Sequence, residues 1–218
     1  MTLPRLLQAL EDAVVPLRCA FCGTRSRDDE GSVCVDCRGD LPWVEPLRPV
    51  SPLCVSLAPL AYEFPVDAAI KALKFGRRLW YGPALAQLLD GAIGFLPADI
   101  DAVLPVPLHW QRKWRRGFNQ AREIGRPVAR RLGVPVIGGV RRARATRPQT
   151  GLSAAERRRN VRGAFVASRP CRSRHVLIVD DVVTTGATIG QLARVVLESG
   201  ADRVSSLAVA CTQGAGGS

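Results

Sequence analysis

Hydrophobic and polar positions alternate in regular blocks along the second half of the chain. DAVLPVPL, residues 101–108, is an apolar run whose prolines mark its carboxyl end, and it reads as a buried strand. AFVAS, HVLIVDD and VSSLAVAC read as further strands. Between them, Ala121, Ile124, Val128 and Leu132 recur at helical spacing, and Pro127 predicts a kink or a late start for that helix. Ile189, Leu192, Ala193, Val196 and Leu197 trace one face of another helix, which Gly200 closes. From about residue 100 onward strand and helix alternate, which predicts a parallel α/β sheet with right-handed crossovers.

The pattern is weaker upstream. VSLAPLAYEF reads as a strand that Pro59 confines to a sheet edge. VDAAIKALKF predicts a short helix carrying Lys71 and Lys74 on one face, and residues 83–95 predict another. HWQRKWRRGFNQ reads as a loop and VPVIGGV as a short extended piece. RRARATRPQTGLSAAERRRNVRG has no buried face and reads as a long, mobile basic loop ending in a short helix. At the N-terminus Leu3, Leu6, Leu7, Leu10 and Val14 predict an amphipathic helix. With one early basic residue and Glu11–Asp12 interrupting the apolar pattern, it does not read as a signal peptide. No uncharged apolar run is long enough to cross a bilayer, so no membrane insertion and a cytoplasmic location are expected.

The prolines of LPWVEPLRPVSPLC make a stiff connector and set the domain boundary. The expected organisation is an N-terminal helix and cysteine module over 1–45, an α/β domain over 46–212 and a flexible tail over 213–218. The formal charge of +12 changes the picture because it is concentrated. His109 to Arg174 holds 19 Lys and Arg against two acids, Glu123 and Glu156. Such a field favours phosphorylated metabolites, nucleic acid or acidic surfaces.

Seven cysteines are present, and four of them, Cys19, Cys22, Cys34 and Cys37, form C-x2-C-x11-C-x2-C. Two such pairs complete a tetrahedral thiolate site, and zinc in a closed structural role is the expectation. The competing redox reading has no use for a second copy of its motif. Cys54, Cys171 and Cys211 read as small buried hydrophobes in a reducing compartment.

The candidate chemistry lies in VLIVDDVVTTGAT, residues 176–188. A strand delivers Asp180 and Asp181 to the carboxyl edge of the sheet, where α/β proteins bind ligands. The turn holding Thr184, Thr185, Gly186, Ala187 and Thr188 then opens a helix, whose free amides and dipole suit a phosphate. The carboxylates suit sugar hydroxyls, directly or through Mg2+ and its waters. An ordinary strand–turn–helix joint would explain one polar cap, not two acids, two threonines and a glycine in succession. The loop is neither a Walker loop nor a dinucleotide fingerprint.

This segment resembles the phosphoribosyl-diphosphate (PRPP) loop of type I phosphoribosyltransferases. VLPVPLHWQRKWRRGFNQA, ATRPQTGLSAAERRRNVRGAF, IKALKFGRR and the cysteine pairs extend the likeness over almost the whole chain. Together they resemble the ComF (GntX-like) family, which is linked to natural competence and uptake of single-stranded DNA. The resemblance implies a phosphoribosyltransferase-like parallel sheet flanked by helices, with a small N-terminal zinc-finger module. It implies that Asp180 and Asp181 contact the ribose or Mg2+ and that Thr184 to Thr188 cradle the 5-phosphate. Arg115, Arg116 and Gly117 would form a diphosphate loop, and Thr146 to Asn160, with Gln149, Arg157 and Asn160, a flap.

Three functions stay open. The chain could transfer phosphoribosyl to a nitrogen nucleophile. It could bind single-stranded DNA or competence-machinery proteins as an adaptor, with Trp110, Trp114 and Phe118 interleaved among the arginines. It could sense PRPP without turnover. Core packing is an equal reading for Trp114 and Phe118. No side chain stands out as a general base: His109, near the diphosphate loop, is a weak candidate that reads rather as a solvated loop histidine, and His175 lies at the wrong end of its strand.

Overall fold

The computed structural model describes residues 18–27, 31–45, 51–144 and 163–212. The expected N-terminal helix, the flap segment Thr146–Asn160 and the tail lie outside them. The chain begins with α1 (Val35–Gly39), β1 (Ser56–Leu57), β2 (Leu60–Ala61), α2 (Val66–Gly76), α3 (Tyr81–Gln87) and α4 (Asp90–Ile93). It continues with β3 (Ala102–Pro105), α5 (Trp110–Arg116), α6 (Gln120–Leu132), β4 (Val140–Arg142) and β5 (Phe165–Ala167). β6 (His175–Val183), α7 (Ala187–Glu198) and β7 (Arg203–Cys211) complete it.

Five strands form one sheet in the order β1-β7-β6-β3, with β2 following β1 along the same edge of β7. Every pairing in it is parallel. Pro59 splits the expected edge strand into the two-residue pieces β1 and β2, since proline cannot donate to the ladder. The apolar runs of β6 and β7 are continuous because both faces of the sheet are covered. Leu177, Val179, Leu207 and Val209 pack toward α2, α3 and α6. Val176, Ile178, Val204 and Ala208 pack toward α7 and β5.

The cysteine module belongs to the first of these cores. Cys19, Val33, Cys34 and Leu41 are buried with Leu85 and Leu89. The ring of Phe21 meets Tyr81 edge-on at 6.2 Å, and the Ser32 amide donates to Gln87 Oε1 at 2.8 Å.

Five sequence expectations change. HWQRKWRR is not a loop: α5 spans Trp110–Arg116 and ends at Gly117, whose φ is 84°. α6 runs unbroken from Gln120 to Leu132 with Pro127 inside it. It starts early because the Asn119 side chain caps the Ala121 amide at 3.1 Å and ties itself to the Val106 carbonyl at 3.0 Å. The helix expected over 83–95 is two short ones, α3 and α4. RRARA holds a strand, β4, which pairs antiparallel with β5 outside the main sheet, and Arg142 in it is buried. Among the lone cysteines, Cys211 is buried and Cys171 half-buried, whereas Cys54 is exposed.

Candidate functional site

β6 does not stop at its apolar run. Its pairing with β7 continues through Asp180↔Ala208 to Val183↔Cys211, so both aspartates belong to the strand. They are 8% and 3% exposed, which explains why their environment matters. Successive strand residues face opposite sides. Asp181 falls toward α2 and forms an ion pair with the Lys74 ammonium. The Asp181 amide donates to Asp180 Oδ1 at 2.9 Å.

The surroundings push the two acids in opposite directions. Burial pushes Asp180 well above its ordinary value, and the neighbouring Asp181 charge adds to the shift. Burial would raise Asp181, but the Lys74 charge and the hydrogen bonds with Asp180 and Lys74 together outweigh it and hold the carboxyl below its ordinary value. Lys74 itself is held up by Asp181 and Asp180 against the burial that opposes its charge. The arrangement makes Asp181 the stronger acid of the pair and Asp180 the weaker.

Arginines stand around the acids. Arg116 is half-buried, donates to Gln120 Oε1 and lies over the Phe75 ring at 5.4 Å. Burial lowers its pKa, and the Asp181 charge opposes that shift. Arg142 is lowered by burial and by the charge of Arg112, with Asp180 opposing. Arg115 is exposed, and its carbonyl accepts from Arg77 at 3.3 Å. Of the candidate diphosphate residues, Arg116 is therefore the one the fold brings beside the acids.

Beyond β6 the Thr184–Thr188 turn is half-buried. Gly186 takes a left-handed φ of 69° at the N-cap of α7, a conformation that a side chain would strain. Thr185 Oγ1 is buried with no hydrogen-bond partner among the described residues. An unsatisfied hydroxyl there costs about 1–3 kcal/mol, which a bound anion would offset. The turn thus offers a hydroxyl and the N-terminal end of a twelve-residue helix.

Several side chains sit elsewhere than the sequence suggests. His109 is 6% exposed rather than solvated. His175 is buried at the start of β6, joined to Asp99 at 3.0 Å and Ser205 at 2.9 Å, and is structural. Trp110 and Trp114 are 67% and 84% exposed, so they are not core, while Phe118 packs against the core. Lys71 and Lys74 part company: Lys71 pairs with Asp67 on the surface, and Lys74 with Asp181 inside.

Lys74, Arg112 and Arg142 were not among the residues the sequence singled out for the site. Lys74 had a signal, because it adjoins Ile70 and Leu73 on the buried stripe of α2. Arg142 had none, since its burial depends on Phe165, 23 positions away, whose ring it covers at 5.4 Å.

The second constellation is the cysteine centre. The sulfurs of Cys19, Cys22, Cys34 and Cys37 all lie within 4.8 Å of one another, and those of Cys22 and Cys34 are 3.8 Å apart. Tetrahedral zinc with bonds of about 2.3 Å needs sulfurs roughly 3.8 Å apart. Backbone bonds Gly23→Cys19 at 2.9 Å and Cys19→Thr24 at 2.8 Å build the knuckle. The Thr24 hydroxyl, 2.8 Å from Cys22, lowers that thiol to about 6, whereas burial raises Cys37. The all-sulfur donor set and spacing fit structural zinc.

No protein-family model matches the chain. It is 36% identical over 200 residues to DNA utilization protein YhgH of Escherichia coli (strain K12), covering 85% of this chain and 86% of that one. It is 35% identical over 155 residues to Competence protein F of Haemophilus influenzae, covering 66% of each. Among solved structures it is similar to adenine phosphoribosyltransferase from Leishmania tarentolae, with a TM-score of 0.42 and 17% identity over 74% of this chain and 79% of that chain.

Proposed function

We propose that this chain, which belongs to the family of competence protein F and DNA utilization protein YhgH, binds PRPP with Mg2+ at the β6–α7 loop. The observation that carries the reading is the Thr184–Thr188 turn. An unpartnered buried hydroxyl, a left-handed glycine and a helix start lie four to six residues beyond a buried acid pair. Donors for a phosphate and acceptors for a sugar are thereby set side by side. Asp180 and Asp181 would accept from the ribose hydroxyls, or from waters of a magnesium ion, whose charge would also stabilise a leaving diphosphate.

If turnover follows, diphosphate leaves the anomeric carbon and a nitrogen nucleophile takes its place through an oxocarbenium-like transition state. Arg116 then serves the leaving group by bidentate pairing. The ionised Asp181 favours positive charge developing on the sugar. PRPP with Mg2+ is expected to raise the melting temperature, and Asp180→Asn with Asp181→Asn to abolish the rise. Absence of any shift at saturating PRPP would refute the reading. Where binding occurs without product from any nitrogen nucleophile, the pocket acts as a sensor.

A second reading rests on a separate observation. Trp110 and Trp114 stand exposed on α5 beside Arg115, a combination that stacks bases and pairs phosphates of single-stranded DNA. The relatives' names refer to DNA utilization and competence. Anisotropy of labelled single-stranded DNA should show salt-dependent binding that Trp114→Ala with Arg115→Ala weakens at unchanged melting temperature. The two surfaces are compatible on one chain.

A further inference from the structure

Lys74 lies in the last turn of α2, where the helix dipole favours a cation. The stripe of Val66, Ala69, Ile70 and Leu73 is buried and fixes α2 in the core. Arg77 then ends the helix in a left-handed conformation, with φ 52°, and its guanidinium donates to the Arg115 carbonyl at 3.3 Å. The end of α2 is therefore held by the core on one side and by the end of α5 on the other. Lys71, one turn earlier, is engaged by Asp67 on the surface, whereas Lys74 reaches inward to Asp181.

This ion pair governs what else the acids can accept. Its side chains are 20% and 5% exposed, so water and salt screen it poorly. Asp181 is the stronger acid of the two, so the first negative charge of the acid pair falls on the carboxylate that faces the ammonium. A magnesium ion needs ionised oxygens and gives up its own water reluctantly. Here the ionised oxygen already has a cation beside it, and a doubly charged ion would meet the ammonium at short range in a poorly screened site. A sugar hydroxyl carries no charge and meets no such barrier.

We propose that Lys74 is a built-in counter-ion that closes the Asp180–Asp181 pair to free divalent cations while leaving it open to neutral hydroxyl donors. Magnesium then enters only on the phosphate groups of its ligand, whose negative charge offsets the repulsion. Lys74 is a positioning residue, acting through Asp181. The proposal rests on the reading of the acid pair as the sugar-facing side of the ligand site, and the two are tested apart.

Mn2+ stands in for Mg2+ at oxygen sites, and its paramagnetic resonance signal reports the free ion. The full-length unchanged chain, Lys74→Met, Lys74→Arg and Lys74→Met combined with Asp180→Asn and Asp181→Asn are titrated with Mn2+ alone. The unchanged chain and Lys74→Arg should hold no Mn2+ beyond what the variant without the acids holds. Lys74→Met should take up one further ion, at least about tenfold tighter than the unchanged chain, and lose it when the acids are replaced. A lysine that merely supports the fold would lower the melting temperature without creating this site. Should Lys74→Met not fold, Lys74→Gln, which keeps a hydrogen-bond donor for Asp181, gives the same readout.

Isothermal titration with PRPP, with and without Mg2+, is run on the same chains. Mn2+ held by the unchanged chain and lost with the acids would overturn the counter-ion, as would the absence of any gain in Lys74→Met and Lys74→Gln. A metal site that appears in Lys74→Met, in a chain that ignores PRPP, would uphold the counter-ion and defeat the PRPP reading.

Discussion

Replacing Lys74 with methionine keeps the length of the side chain on α2 and removes its ammonium. Lys74 is 20% exposed at its side chain and Asp181 5%, so the ion pair is shielded from water. Breaking a buried pair from one side leaves the other charge uncompensated, at a cost of roughly 3–5 kcal/mol. Partial exposure of Lys74 and relief by protonation of Asp181 place the expected loss at the lower end, about 3 kcal/mol at neutral pH. For a chain of this size that lowers the melting temperature by roughly 6–12 °C.

The pH dependence follows from the sign of the shift. The depressed Asp181 contributes stability that is present above the ordinary carboxylate value and lost as pH falls through its lower folded value. Lys74→Met removes that contribution, so the gap between variant and unchanged chain should narrow toward acid pH. Urea unfolding of Lys74→Met, Asp181→Asn and the double variant gives the coupling. Most of the loss should vanish in the Asp181→Asn background. A cost under about 1 kcal/mol, or one of equal size in both backgrounds, would refute the buried pair as the organiser of the site.

Asp180→Asn should stabilise the chain at pH 7. Its folded pKa is raised, so the carboxyl's contribution is favourable below the ordinary value and lost as pH rises through the folded one; denaturant midpoints at pH 5 and pH 8 check the trend. Elemental analysis should find about one zinc per chain, and Cys22→Ser with Cys37→Ser should lose the metal and lower the melting temperature; an unchanged, metal-free, folded chain would contradict the closed thiolate site. Thr185→Val should leave stability unchanged or raised, since it removes an unsatisfied hydroxyl, while weakening PRPP binding in the titration.

The sheet was readable because its physics is local. The runs VLIV and LAVA, each buried on two faces, and the helix face of Ile189, Leu192 and Val196 announce themselves by period alone. The four cysteines and the DDVVTTGAT loop were readable because few other uses explain such groupings. What escaped notice depends on partners distant along the chain. Trp110 and Trp114 lie four apart, as on one face of a helix, yet α5 shows that face to solvent, so no apolar stripe marks it. Three-residue β4 has no alternation to detect, and Arg142 is buried only because β5 returns with Phe165. Lys74 adjoins the buried stripe of α2 in the sequence, but its partner shows only when β6 places Asp181 against it. His109 looks like a loop residue until the hairpin closes over it.

A crystal structure of the chain with PRPP and Mg2+ tests the central claim most directly. The 5-phosphate should lie on the Thr184–Thr188 turn, within reach of the Thr185 hydroxyl and the first amides of α7, with the ribose hydroxyls toward Asp180 and Asp181. An empty turn at saturating PRPP, or a phosphate bound only among the surface arginines, would contradict the account.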